Sequence, residues 1–327
     1  MKETSTKQAL LRALREAPGS WQSGGALAQK LGVSRNAVWK AANDLRAEGF
    51  DLQSVPRRGY LLQQGGDLLT SEELCVQLGA GWGAEAHASL PSTNQRARQL
   101  ALDGQKGPFL VAAETQTAGR GRRGRTFYSP PHSGLYFSLL CTPTLTAENA
   151  TLVTAAAAVA ARRVLVRLGA EVQIKWVNDL FCGPYKIAGI LTEAATDFES
   201  GFISHLIVGF GINLTLPQGG FGPGLNGVAG AAFASLPPLG RAGIAAAIAN
   251  EFLPLLQGLP RQTDFLDEYR AASLLTGREV TVTPAVGTPY RATAGQVDDA
   301  ARLPVTLPDG TTHLLLGGEV SLRPDDF

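Results

Sequence analysis

Residues Gly119 to Arg125 read Gly-Arg-Gly-Arg-Arg-Gly-Arg, four guanidinium groups within seven residues. The 327-residue chain has a formal net charge of only +1, so this local charge implies an anion held close to the backbone. The pattern Gly119-x-Gly121-x-x-Gly124 also matches the dinucleotide-binding fingerprint, which requires a strand before it and a helix after it. An apolar stretch, Phe109 to Ala113, fits the strand. Pro130 and Pro131 follow, and they exclude a helix interior. The loop is therefore expected to hold its anion with guanidinium and backbone N–H groups. Arginine- and glycine-rich RNA-binding segments are long, repetitive and disordered. This run is single and lies between two expected strands, Phe109 to Ala113 and Gly134 to Cys141, so a loop ordered by its ligand is the preferred reading.

Further polar residues fall at the ends of expected elements. Ser92-Thr93-Asn94 follows Pro91, where Ser92 or Thr93 would cap a helix and leave N–H groups for a polar ligand head. Gln116 leads into the arginine run. Lys175, Asn178 and Asp179 follow a strand expected at 172–174. Lys186 precedes the apolar run Ile187 to Leu191, and a lysine there needs a partner, for which Asp179 is the candidate. Gly209 and Gly211 flank Phe210 at the end of another strand, where they would allow close approach of a ligand, and Asn213 adds an amide. The chain lacks a Gly-x-Ser-x-Gly elbow, a His-Glu-x-x-His pair and a Gly-x-x-x-x-Gly-Lys-Ser/Thr loop. Its four histidines show no metal-ligand spacing. What remains is electrostatic, and suits phosphoryl or nucleotidyl transfer, where positioning and charge neutralisation dominate.

These residues need a scaffold, and three regions supply it: 1–64, 65–272 and 273–327. In the first, Lys7 to Glu16 sets Ala9, Leu10, Ala13 and Leu14 on one helical face. A second helix starts after Ser23 and a third after Ser34, the latter ending at Gly49 with Val38, Ala42 and Leu45 as its buried stripe. A strand–turn–strand follows around Pro56-Arg57-Arg58-Gly59. This is a helix-turn-helix with a β wing. Ser34, Arg35, Asn36 and Lys40 would face a major groove, and Arg57 and Arg58 would reach the phosphate backbone or minor groove. A helical domain for protein contacts is the alternative. The central region mixes helices with apolar strands. The third shows short alternating segments with a turn at Asp309-Gly310, as in a small β-barrel. The class is α+β.

Hydrophobic content of 44% and charged content of 17% are those of a globular protein. Three separated cysteines, with no Cys-x-x-Cys pair, argue against disulfides and structural zinc. The N-terminus lacks the apolar core of a signal peptide, and Arg162 and Arg163 interrupt the longest apolar run, so a cytoplasmic protein without membrane contact is expected.

Taken in order, Ser92-Thr93-Asn94-Gln95, Gly119 to Arg125, Gly134-Leu135-Tyr136-Phe137-Ser138-Leu139, Lys175-Trp176-x-Asn178-Asp179-Leu180, Lys186-x-x-Gly189-Ile190-Leu191 and Gly209-x-Gly211-Ile212-Asn213 resemble biotin protein ligase. The winged helix in front marks the bifunctional bacterial form that also represses the biotin operon. The resemblance spans nearly the whole chain. It implies a winged helix-turn-helix, a central mixed α/β ligase domain related to class II synthetases and a C-terminal SH3-like barrel. It implies biotin and ATP as substrates with Mg²⁺, and biotinyl-5′-AMP as the intermediate. Its implied partners are the biotin carboxyl carrier protein of acetyl-CoA carboxylase, biotin operator DNA and a second copy of the chain once the adenylate is bound. By the same resemblance Ser92, Thr93, Asn94, Gln116, Arg120, Gly121, Arg122 and Lys186 hold biotin. Lys186, Arg120, Arg122 and Asp179 serve catalysis, with Asp179 orienting Lys186 or placing the metal. Arg122, Lys175, Asn178, Asn213, Phe233 and Arg323 meet ATP, Phe233 by stacking on adenine. Val177 stands where the family has proline, which is expected to loosen that turn slightly. A lipoate-type ligase shares this chemistry, but the arginine run argues against it. A ligand-sensing repressor without ligase activity would not need Lys186 and Asp179.

Overall fold

The computed structural model describes residues 5–17, 19–63, 67–222, 224–284, 286–316 and 319–321. The winged helix comprises α1 (Thr6–Arg15), α2 (Gly24–Leu31), α3 (Arg35–Ala47), β1 (Leu52–Val55) and β2 (Gly59–Leu62). Ser5, Ser23 and Ser34 each accept a backbone N–H three residues on, so all three helices start at a hydroxyl cap. Gly49, at φ 95°, ends α3. Leu10, Leu11, Leu14, Leu27, Val38 and Leu45 form a core separate from the rest of the chain. Leu11 is fully buried and Ala9 only half-buried, so the buried face of α1 is rotated from the one expected. The joint expected around Gln64 lies outside the described residues.

Beyond it run α4 (Ser71–Gln77), β3 (Gly83–Leu90), α5 (Thr93–Leu102), β4 (Phe109–Gln116), β5 (Gly134–Cys141), α6 (Ala150–Arg167), β6 (Gln173–Lys175), β7 (Asp179–Cys182), β8 (Tyr185–Thr196), β9 (Ile203–Asn213), α7 (Gly240–Gly258) and α8 (Phe265–Ala271). The strands form one seven-stranded sheet in the order β3-β4-β5-β9-β8-β7-β6, parallel only between β3 and β4. Alternation along β4 divides its side chains. Val111 joins Ala97, Leu140 and Ile207 under α5, while Leu110 and Ala112 join the main core under α6 and α7. Among the described residues one helical stretch, Ala147–Arg167, is long and apolar enough to cross a membrane. Its Ala155 to Ala161 are fully buried against the main core, as expected of a core helix. The three cysteines are free, and burial pushes the Cys141 thiol up to about 12.

The last region contributes β10 (Glu279–Thr283), β11 (Tyr290–Ala294), β12 (Leu303–Thr306), β13 (Thr312–Leu315) and β14 (Glu319–Ser321). They pair antiparallel in the order β13-β12-β11-β10-β14. Among the described residues this is an open five-stranded sheet, because β13 and β14 do not pair to close the barrel that the alternating pattern suggests. The Asp309-Gly310 turn is present, with Gly310 at φ 87° and the Asp309 carboxylate accepting Thr311 N–H at 2.9 Å. Val280, Val282, Leu303 and Val305 belong to the same core as the large sheet, so the two regions pack as one.

Candidate active site

The arginine run, Ser92-Thr93-Asn94, Gln116, Lys175, Asn178, Asp179, Lys186 and Asn213 all line one pocket of about 310 Å³ on the large sheet. Sheet order explains the convergence. Strand β4 is remote in sequence from the consecutive strands β7, β8 and β9, yet the order sets all four in one sheet, so residues on and beyond them line one pocket.

The arginine run is a turn folded over that pocket. Arg120 bridges Thr126, Gly121 N–H donates to Arg125 O at 2.7 Å, and a short 3₁₀ turn spans Arg122–Gly124. No helix follows, as the prolines require. Gly119 is indispensable to this turn: a Cβ there would sit 2.4 Å from the Phe127 carbonyl. Arg122 donates to Asn178 Oδ1 at 2.9 Å, which ties the turn to the β6–β7 corner. Arg123 reaches the Thr283 carbonyl at 3.4 Å. The Arg120, Arg123 and Arg125 side chains are exposed at the rim.

Lys186 Nζ lies 2.7 Å from Asp179 Oδ1 across the β7–β8 pair. The contact is an ion pair without an aligned hydrogen bond, since Oδ1 is buried and accepts none. Asn178 Nδ2 donates to Ile190 O at 3.0 Å. The Trp176–Val177 peptide is cis, both residues are buried, and Trp176 Nε1 donates to Ala301 O at 2.8 Å. The corner is thus anchored on the C-terminal region, where the change from proline suggests a looser turn.

The opposite end of the pocket is a polar lattice. Ser92 occupies the N-cap of α5 but makes no side-chain cap. Instead Gln116 Oε1 accepts the Thr93 N–H at 2.9 Å, and Gln116 Nε2 donates to Ser129 Oγ at 3.0 Å. Fully buried Ser138, on β5, lies 2.8 Å from Thr93 Oγ1 and 2.6 Å from Asn94 Oδ1.

One expectation changes. Phe233 is absent from the pocket lining: its N–H donates to Leu214 O at 2.9 Å and its ring packs on the main core. Phe127, Tyr128 and Phe221 are the aromatic residues near the arginine turn and the loop after β9. Gly209 and Gly211 line the pocket as expected, and a Cβ at either would also press on a protein side chain, meeting Asn94 Oδ1 at 2.0 Å and the Phe127 ring at 2.6 Å, respectively. Arg323 lies outside the described residues. Sequence reasoning also missed Glu193 and Arg241. Glu193, two residues beyond Leu191, accepts from Asn94 and Arg98. Arg241 is a buried cation placed by contacts far apart in the chain.

On the winged helix, Ser34, Arg35, Asn36 and Lys40 are exposed along the first turns of α3. Arg57, at φ 68°, and Arg58 are exposed at the wing tip, with Arg58 stacked over the Trp21 ring at 4.8 Å.

A model of the biotin/lipoate A/B protein ligase family matches residues 86–213, and a helix-turn-helix domain model matches residues 6–61. The bifunctional ligase/repressor BirA of Bacillus subtilis (strain 168) is 34% identical over 236 residues, covering 70% of this chain and 71% of that protein. The biotin–[acetyl-CoA-carboxylase] ligase of Mycobacterium tuberculosis is 28% identical over 257 residues, covering 76% and 92%. The biotin protein ligase of Aquifex aeolicus, solved in complex with biotin and ATP, shares the fold at a TM-score of 0.60 and 22% identity, over 73% of this chain and 98% of that one. A winged helix joined to a sheet whose pocket carries the arginine turn and the Lys186–Asp179 pair is thus matched from both ends, and the chain belongs to the biotin protein ligase family in its bifunctional ligase/repressor form.

Proposed function

We propose that this chain is an ATP-dependent biotin–protein ligase that also acts as a DNA-binding repressor. One observation carries the enzymatic reading: a single pocket joins a neutral polar end at Thr93, Asn94 and Gln116 to a cationic end at Lys186, Arg120 and Arg122. A ligand with an uncharged, hydrogen-bonding head and a carboxylate tail matches that polarity. In the first step a biotin carboxylate oxygen attacks the α-phosphorus of ATP. The bond to the pyrophosphate oxygen breaks, and biotinyl-5′-AMP forms. Both reactants are anions, so bringing them together requires fixed cations. Lys186 lies where it would meet the carboxylate and α-phosphate oxygens, and Asp179 keeps it in place. Arg122, held by Asn178, covers the same region. Lys175, Asn178 and Asn213 line the nucleotide side, and Arg323 would add a phosphate contact. In the second step a lysine amine of the biotin carboxyl carrier protein attacks the activated carbonyl and AMP leaves.

Asp179 is the only carboxylate among the described lining residues. This suits Mg²⁺, which keeps most of its shell as water and phosphate oxygens and needs one or two protein carboxylates. Bound there, it would neutralise charge on the leaving pyrophosphate.

The adenylate would hold the arginine turn closed and favour a homodimer. Two winged helices would then meet operator DNA, each through Arg35, Asn36 and Lys40 in the major groove and Arg57 and Arg58 at the backbone. The chain works in the cytoplasm, and its C-terminal sheet serves as the SH3-like module. Biotin-dependent exchange of pyrophosphate into ATP tests the ligase: exchange with biotin and not lipoate is expected, and the reverse result overturns the reading. A gel shift on DNA upstream of its own gene, with and without biotin and ATP, tests the repressor.

A further inference from the structure

Asn94 is 5% exposed, and its amide is fully wired into the protein. Nδ2 donates to Glu193 Oε2 at 2.8 Å and to Leu191 O at 3.3 Å, which uses both of its hydrogens. Oδ1 accepts from Ser138 Oγ at 2.6 Å. Arg98, one turn further along α5, donates to the other oxygen of Glu193 at 2.6 Å. Glu193 itself is not part of the pocket lining, so whatever it does for a ligand it does through Asn94.

A carboxylate accepts hydrogen bonds and cannot donate them, so Glu193 dictates which end of the Asn94 amide faces it. With Nδ2 turned to Glu193, Oδ1 faces Ser138. Ser138 has one proton, and Oδ1 can only accept it. Thr93 Oγ1, 2.8 Å from Ser138 Oγ, then receives no proton from it, and its own proton has two acceptors within the protein, Ser138 Oγ and Gln116 Oε1 at 3.2 Å. The proton order thus sends the Ser138 proton to Asn94 and the Thr93 proton to Ser138 or Gln116. It leaves the lone pairs of Thr93 Oγ1 and the second lone pair of Asn94 Oδ1 for the pocket. Gly209 seals the arrangement, because any side chain there would meet Asn94 Oδ1. The inner end of the pocket is therefore an acceptor wall, matched to a ligand head that carries N–H donors. The cyclic urea of biotin carries two; the dithiolane of lipoate carries none.

We propose that Glu193, anchored by Arg98, is a positioning residue that sets ligand specificity by fixing the Asn94 amide and, through Ser138, the proton order of the pocket's inner wall. This rests on the biotin-ligase reading and names what selects the ligand's head group. With Glu193→Gln the carboxamide can present either end to Asn94, and the amide is free to turn over.

The test is pyrophosphate exchange by the full-length protein with biotin and with biotin methylated on a ureido nitrogen. In Glu193→Gln the KM for biotin should rise roughly tenfold, the loss of one well-placed buried hydrogen bond. The KM for ATP and kcat should stay unchanged, and the preference for biotin over its methylated analogue should shrink. Arg98→Met, a change on the exposed side of α5, should raise the same KM less. Unchanged biotin KM in both variants overturns the assignment. So does an equal loss for both ligands accompanied by a lowered melting temperature, which would make Glu193 merely structural. Wild-type protein that shows no exchange with biotin overturns the ligase reading itself.

Discussion

Arg241, 2% exposed, donates from Nη1 to Glu114 Oε1 at 2.6 Å. Its Nε also pairs with Asp67, and its backbone N–H donates to Asp67 Oδ1 at 2.9 Å. Three parts of the chain meet at this guanidinium: the segment just after the winged helix, the start of α7, and β4 two residues before Gln116. Removing one partner of a buried ion cluster strands the others, so Arg241→Met should destabilise the fold by about 3–5 kcal/mol. Urea unfolding monitored by near-ultraviolet circular dichroism would measure this.

The same cluster gives the protein an acid sensitivity. Burial alone would raise the Glu114 carboxyl, but Arg241 and the His132 backbone N–H outweigh it and hold the group below its ordinary value of 4.5. A depressed folded value means that the stabilisation is fully present above 4.5 and is lost as pH falls through the folded value. The stability advantage of wild type over Glu114→Gln should be flat with pH above 4.5 and narrow below it, as read from urea midpoints. A gap that widens on acidification would contradict the sign.

Lys186→Met removes the ammonium paired with Asp179 and leaves that carboxylate facing the ATP phosphates. Adenylate formation should fall by about 10²–10³-fold, the cost typical of losing one preorganised charge-stabilising donor. Single-turnover formation of biotinyl-5′-AMP is the measurement, and near-normal turnover would remove Lys186 from the chemistry.

Arg122→Gly cuts the contact from the arginine turn to Asn178. The adenylate should then escape sooner, which a chase with excess unlabelled biotin and ATP would time. An unaltered release rate would show that the turn does not retain the intermediate.

Gly209→Ala places a methyl group against Asn94 and should cost about 1–3 kcal/mol through overpacking. Isothermal titration with biotin should show weakened binding beyond what the loss of stability explains. Gly211→Ala, which presses on Phe127 instead, should disturb the arginine turn and adenylate retention more than biotin binding.

The local parts of this protein are written in its sequence. Serines at positions 23 and 34 cap helices because a hydroxyl before an amphipathic run satisfies a free N–H, and Gly49 stops α3 because it takes a left-handed conformation without strain. The pairing of Lys186 with Asp179 was legible for a similar reason: a lysine at the edge of a buried strand needs a counter-charge, and a carboxylate lies a few residues away. What depended on distant contacts was not legible. Gly209 and Gly211 carry no mark of which side chain fills their space, Phe233 resembles any aromatic near a nucleotide loop, and Arg241 sits in an Ala-rich helix with both partners more than a hundred residues away. Only the order of the seven strands decides these.

The pocket is closed on one side by Ser92 and on another by Val320, while Trp176 and Arg123 bond to carbonyls of Ala301 and Thr283. The binding chamber is thus assembled from both ends of the ligase portion, and its walls reach from Ser92 to Val320. A nascent chain stalled before residue 279 would hold the winged helix and every strand of the large sheet, but would lack Val320 and the Thr283 and Ala301 carbonyls. Competence to bind is therefore gained with the C-terminal sheet and not with the large sheet alone.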